Sequence, residues 1–328
     1  MSPVIDVHTH MLSREWVALL EKHAKPRYAV KVVPGGLRAI HLEGAPFMTL
    51  LPNMYDWEAR IDNMTKARVD IAVVSLTCPS VYWGGERIST QAARQMNDEF
   101  ARAQKTWPDR IRWFATLPWQ YPKAAVQELK RAVKAGAVGV MVIANVSGQH
   151  LTDPLFDPIW RAIDAAGLPV LVHPGAPPGS SALGMHEFNL SASLGFTFDT
   201  SLAVSRMILN GFFDRYSKLK IIAAHAGGAL PFLAGRLDVC WDNIPAVRAK
   251  TTEKPSNYLR QVYCDSVVFR QDALNMAVSV FGTDNVLYGS DYPHNIGDMK
   301  GCLSRVDALP GDVREKVRGG NAERIFRL

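Results

Sequence analysis

Eight short runs of β-branched and aliphatic residues recur along this 328-residue chain, separated by longer stretches with helical spacing, and that alternation limits the folds open to it. The runs are VIDV (4–7), DIAVVSL (70–76), RIRWFATL (110–117), VGVMVIA (138–144), PVLVH (169–173), LKIIAAH (219–225), QVYCD (261–265) and NVLYGSD (285–291). Most are continuously apolar rather than alternating, as expected of parallel strands buried on both faces. Between them lie amphipathic segments such as DEFARAQKTW (98–107), PKAAVQELKRAVKAG (122–136), PLFDPIWRAIDAAG (154–167) and GALPFLAGRLDVCWDN (228–243). The second of these closes on Lys134 and Gly136, a helix C-terminal signature. The expectation is an α/β fold, a (β/α)8 TIM barrel spanning residues 1–328 as one domain, with a doubly wound open sheet as the alternative.

Two stretches break the rhythm. Residues 25–55 read as an insertion after the first strand, a small β excursion over the barrel mouth. Residues 174–200, rich in Gly, Ser and Pro, are too long for a mere connector and read as a lid or substrate loop. Apolar residues make up 48% of the chain, enough for a large core. The net charge of +6 is scattered, with no basic run, which argues against nucleic acid and hints only weakly at an acidic substrate. Cys78, Cys240, Cys264 and Cys302 lie far apart without a C-x-x-C pair, which fits a reduced, cytoplasmic protein. No stretch approaches the roughly 18 apolar residues of a membrane span, and the N-terminus has no signal-like core.

Barrel enzymes carry their chemistry at the C-terminal ends of the strands. His8 and His10 are expected to end the first strand, His173 the fifth, His225 the sixth and Asp291 the eighth. Alternate residues of a strand point the same way, so His8 and His10 can both face the barrel axis. With His173 and Asp291 they make a set able to bind one divalent cation and leave a position for water or substrate. The rival reading is a polar barrel mouth without metal.

The segments DVHTH, VHPG, KLKIIAAHAGGALPFLAGRL and YGSDYPH resemble the amidohydrolase superfamily. More narrowly, they look like its branch of α-amino-β-carboxymuconate-ε-semialdehyde decarboxylase and related aromatic-acid decarboxylases. The likeness covers nearly the whole chain and includes NGFFDRYSKLK before the sixth strand and the closing GGNAERIF. It implies His8, His10, His173 and Asp291 as metal ligands, and His225 as the acid/base acting on a bound solvent molecule. The fourth run ends MVIANV, without the lysine that holds a second metal in many members, so one metal is expected. Three imidazoles and a carboxylate make zinc the first choice, and manganese the alternative because some related decarboxylases prefer it.

The resemblance also implies that Arg236 binds a substrate carboxylate, supplied across the interface of a homodimer or higher homo-oligomer. Met48 stands where the semialdehyde decarboxylase has a second carboxylate-binding arginine, which points away from that substrate and toward an aromatic acid. Trp83 and His294 are further substrate-contact candidates, and His186, Asn189 and Asp199 stand behind them. The expected activity is metal-dependent, non-oxidative decarboxylation of an aromatic or unsaturated carboxylic acid. Alternatives at the same site are a hydrolase of an amide, ester or lactone, or a hydratase. A catalytically silent barrel is disfavoured because all five rim positions are filled.

Overall fold

The computed structural model of the chain describes residues 2–328. Its centre is one sheet of eight strands in sequential order. These are Ile5–His10, Ile71–Ser75, Ile111–Thr116, Gly139–Ile143, Pro169–His173, Lys220–Ala223, Tyr263–Asp265 and Val286–Leu287. Every neighbouring pair is parallel. The ring closes where Val7 N–H donates to Tyr288 O at 2.9 Å and His10 N–H to Tyr292 O at 2.7 Å. The expected (β/α)8 barrel is therefore the fold, and each of the eight apolar runs marks one of its strands, the first of which continues past VIDV to His10.

Helices cover the outside because their apolar faces have nowhere else to go. On the helix Pro122–Lys134, Ala125, Leu129 and Ala132 share one buried stripe at spacings of four and three. The helix Glu86–Thr106 begins well before the DEFARAQKTW segment, since Ile88, Ala92, Met96, Phe100 and Ala103 extend the same stripe backwards. Among the described residues no helix is long and apolar enough to cross a membrane.

Two buried charged residues tie the rim together. Asp6 accepts from Ser290 Oγ at 2.5 Å and from the backbone N–H of Ser290 and of His8, so it joins the first strand to the segment after the eighth. Burial pushes its carboxyl up to about 7. Arg60, on the helix Trp57–Ala67, donates to Thr9 Oγ1 at 2.8 Å and to the His10 carbonyl, and its guanidinium lies 4.8 Å over the Tyr292 ring.

The stretch after the first strand contains a three-stranded antiparallel meander, Tyr28–Val32, Arg38–Leu42 and Ala45–Leu50. Its last strand brings Phe47 and Met48 over the barrel mouth. Residues 174–200 are less irregular than their composition suggests. Short turns occupy Glu187–Asn189 and Ser191–Gly195, and the helix Phe196–Leu209 already starts inside the stretch. Ser181 Oγ donates to Glu43 Oε2 at 2.7 Å, which links this loop to the meander.

Candidate active site

The first strand presents His8 and His10 to the barrel interior, and His173 is the last residue of the fifth strand. His225 and Asp291 are placed differently from the expectation that they end their strands. The sixth and eighth strands stop at Ala223 and Leu287, and the two residues stand on left-handed turns at φ 55° and 57°. Hydrogen bonds from their backbone amides hold those turns: His225 N–H donates to the side-chain Oδ2 of Asp265 at 2.9 Å, and Asp291 N–H to His8 O at 2.8 Å. Positive φ is uncommon for residues with a Cβ, and such positions concentrate at functional sites.

His8, His10, His173 and Asp291 are all buried and bring potential ligand atoms within 4.8 Å of one another. Asp291 Oδ1 lies 3.4 Å from His8 Nε2 and 3.3 Å from His10 Nε2, and its Oδ2 lies 3.6 Å from His225 Nε2. His8 Nε2, His10 Nε2 and Asp291 Oδ1 make no hydrogen bond although they are buried. Unpaired buried polar atoms are costly, and here they face a common point. Each imidazole is engaged on its other side: His8 Nδ1 with Asp265 Oδ2 at 2.6 Å, His10 Nδ1 with Ser75 Oγ at 3.0 Å, His173 Nδ1 with Pro174 O at 2.8 Å. A carbonyl can only accept, so His173 carries its proton on Nδ1 and keeps the Nε2 lone pair. Three inward lone pairs and a carboxylate form a His/His/His/Asp metal site, suited to zinc and neighbouring divalent ions.

Electrostatics follow from this crowding. Burial lowers His10 to about 3 and holds His173 well below the usual imidazole range. Burial acts the same way on His8, but the charges of Asp265 and Asp291 and the Asp265 hydrogen bond outweigh it and raise the metal-free imidazole to about 9, so a cation binding at Nε2 would displace the proton there. For Asp291, burial works upward, yet the imidazoles of His10 and His225 beside it keep the carboxyl well below the usual range.

Close approach of the rim segments depends on Gly289. A Cβ there would stand 2.8 Å from His8 Cβ and 3.1 Å from Asp265 Cβ. Only a residue without a side chain lets the segment after the eighth strand pass between them.

Above the cluster lies a cavity of about 490 Å³, lined by His173, His225 and Asp291 at its base. Phe47, Met48, Phe196 and Ile296 give it apolar walls, and Thr77, His186, Asn189, His294 and Asn295 add polar edges. No lysine or arginine is among its lining residues. Met48 thus occupies the wall, as the sequence comparison at that position suggests. His294 belongs to the cavity as well, its Nε2 3.0 Å from Thr77 Oγ1 and its ring 5.0 Å from that of His10.

Two candidates stand elsewhere. Trp83 does not reach the cavity wall; its indole N–H donates to Ser80 O at 2.8 Å and its ring packs edge-on to Trp16. Arg236 is exposed on the helix Leu230–Asn243 and does not line the cavity of its own chain. Asp199 is buried beneath the loop after the fifth strand, accepting from Gly175 N–H and Asn145 Nδ2.

Sequence reasoning passed over Asp265 and the cavity wall of Phe47, Phe196 and Ile296. Asp265 had a usable signal, since it ends the seventh strand at the same rim as the ligands. The segments carrying Phe47 and Phe196 were marked as an excursion over the mouth and a substrate loop, but nothing local singled out these side chains or Ile296, because the wall forms only where three separate segments meet.

Fold and site together define a metal-binding (β/α)8-barrel enzyme with a compact, largely apolar substrate cavity. Residues 5–328 match the model of the amidohydrolase family, and the chain belongs to that family. A 2-amino-3-carboxymuconate-6-semialdehyde decarboxylase of Dictyostelium discoideum is 30% identical over 331 residues, covering 99% of this chain and 91% of the relative. The 5-carboxyvanillate decarboxylase of Sphingomonas paucimobilis superposes with a TM-score of 0.87 at 28% identity, over 100% of both chains. A 5-carboxyvanillate decarboxylase of Novosphingobium aromaticivorans, solved with manganese and 4-hydroxy-3-methoxy-5-nitrobenzoic acid, gives 0.85 at 25% identity over 100% of this chain and 96% of its own.

Proposed function

We propose that this protein is a metal-dependent, non-oxidative decarboxylase of an aromatic or unsaturated carboxylic acid, residues 1–328 acting as one catalytic domain. The observation that carries the reading is the convergence of unpartnered donor atoms from His8, His10 and Asp291, with His173, at the base of a cavity walled by apolar side chains. These four residues are the ligands. The fourth strand, Gly139–Ile143, carries no lysine or glutamate, which supports a single metal.

When bound, the cation supplies positive charge that holds the substrate carboxylate or a neighbouring hydroxyl. The chain does the rest. Phe47, Met48, Phe196 and Ile296 hold a ring in place and keep water out. A proton adds to the carbon bearing the carboxylate, the C–C bond breaks, its electron pair returns to the carbon framework and CO2 leaves. That proton comes from Asp291 or from water under the control of His225, whose Nε2 lies 3.6 Å from Asp291 Oδ2. Zinc suits the donor set, and the manganese bound by the Novosphingobium enzyme supports manganese as the second reading.

The exposed Phe232 and Val239, at 79% and 61%, share the helix of Arg236 and support a second copy covering this face. In that assembly Arg236 of one protomer serves the carboxylate in the other. The four free cysteines, three of them buried, support a reduced compartment such as the cytoplasm.

The test is metal content by mass spectrometry together with CO2 release from hydroxybenzoates. One equivalent of zinc or manganese and CO2 evolution are expected, with His225→Asn keeping its metal and losing about 10²–10⁴-fold in kcat. Metal-loaded protein that opens lactones and releases no CO2 from any acid would overturn the decarboxylase reading in favour of a hydrolase.

A further inference from the structure

Asp265 closes the seventh strand and is completely buried, and four contacts saturate its carboxylate. Oδ2 meets His8 Nδ1 at 2.6 Å and His225 N–H at 2.9 Å, while Oδ1 meets Ala226 N–H at 3.0 Å and Val267 N–H at 2.9 Å. Three of these partners are backbone amides and can only donate. Three donated backbone N–H bonds converging on one carboxyl favour its ionised form. An ionised carboxylate only accepts, so the fourth partner, His8 Nδ1, must carry its hydrogen.

That assignment has two consequences. With Nδ1 protonated, His8 keeps its lone pair on Nε2, the atom that is buried, unpartnered and 3.4 Å from Asp291 Oδ1. The same carboxylate also clamps the consecutive left-handed residues His225 and Ala226, at φ 55° and 52°, which no regular ladder would hold. We propose that Asp265 is the positioning residue of this site, setting the His8 tautomer toward the metal and fixing the turn that aims His225. The proposal rests on the metal-dependent reading above, but not on which reaction the metal serves.

Asp265→Asn separates the two roles, because an amide has one accepting oxygen and one donating nitrogen. If the nitrogen faces His8 and His225, His8 must move its proton to Nε2 and withdraw its lone pair from the metal. If it faces Ala226 and Val267, two N–H groups oppose it and the 225–226 turn loosens. Replacing a carboxylate that orients a ligand histidine weakens metal binding roughly 10- to 100-fold.

The experiment titrates chelator-treated Asp265→Asn with Mn2+, reading free ion by electron paramagnetic resonance. In parallel, long-range 15N–1H spectra of the zinc-loaded wild type report the His8 tautomer. Expected are the loss in affinity, a kcat that stays low at saturating metal, and wild-type His8 protonated on Nδ1. A folded variant whose Mn2+ affinity stays within about twofold of wild type overturns the proposal. So does a wild-type spectrum with His8 protonated on Nε2, which decides the matter even if the variant does not fold. Neither readout requires CO2 release, so failure of the decarboxylase reading would show separately.

Discussion

Arg60 makes the buried rim quantitatively testable. Its guanidinium is fully enclosed, donates to Thr9 Oγ1 and to the His10 carbonyl, and lies over the Tyr292 ring. Each charge-assisted hydrogen bond contributes about 1.5–3 kcal/mol and a desolvated cation over a ring about 2 kcal/mol, for a gross gain of about 5–8 kcal/mol. Enclosing the cation opposes this. Burial lowers the guanidinium from 12.5 to about 10, which corresponds to a cost of about 3 kcal/mol. The balance predicts that Arg60→Met, which keeps most of the apolar stem and removes every donor, destabilises the fold by about 2–5 kcal/mol. Metal affinity should fall with it, because the strand carrying His8 and His10 loses its anchor. Urea unfolding followed by tryptophan fluorescence gives the first quantity and Mn2+ titration the second. A variant within about 0.5 kcal/mol of wild type would refute the reasoning and mean that desolvation cancels the contacts.

Two further outcomes are expected. Gly289→Ala places a methyl 2.8 Å from His8 Cβ and 3.1 Å from Asp265 Cβ; overpacking of this kind costs about 1–3 kcal/mol and should weaken metal binding, measured by thermal unfolding with and without added metal. Asp199 has its carboxyl raised to about 6, chiefly by burial. The folded state therefore holds a proton that the unfolded state has already released. The stabilisation is present at low pH and is lost as pH rises from about 4 to about 6, a change of roughly 2–3 kcal/mol. Asp199→Asn should flatten the urea midpoint across that window; an unchanged slope would show that the carboxyl is not desolvated in solution.

Much of this was legible because it depends on local pattern. Continuous apolar runs mark the parallel strands; seven strands lie within their runs, and the first continues past VIDV to His10. The His8/His10 pair is readable for the same reason, since strand geometry alone aims alternate residues the same way. His173 is the last residue of its strand and was equally visible. His225 and Asp291 were found by their position after an apolar run, but the left-handed turns that present them were not, because partners distant in sequence create those turns. Helix length was underread at residues 86–106, where a periodic stripe begins among polar residues.

The amino-acid sequence by itself determined the strand–helix alternation, the identity of the metal-capable side chains and the absence of a cation at position 48, since each is a property of residues or of their spacing. Tertiary structure alone decided the rest. Barrel closure brings His8 against both Asp265 and Asp291, so Asp265, whose place at the end of a strand was legible, acquires its partners only in the closed barrel. It leaves Arg236 on the outer surface and Trp83 against Trp16, away from the cavity. It also builds the cavity wall from the meander, the loop after the fifth strand and the segment past Asp291. Those contacts span large stretches of chain and are set by how the barrel closes, which no window of sequence contains.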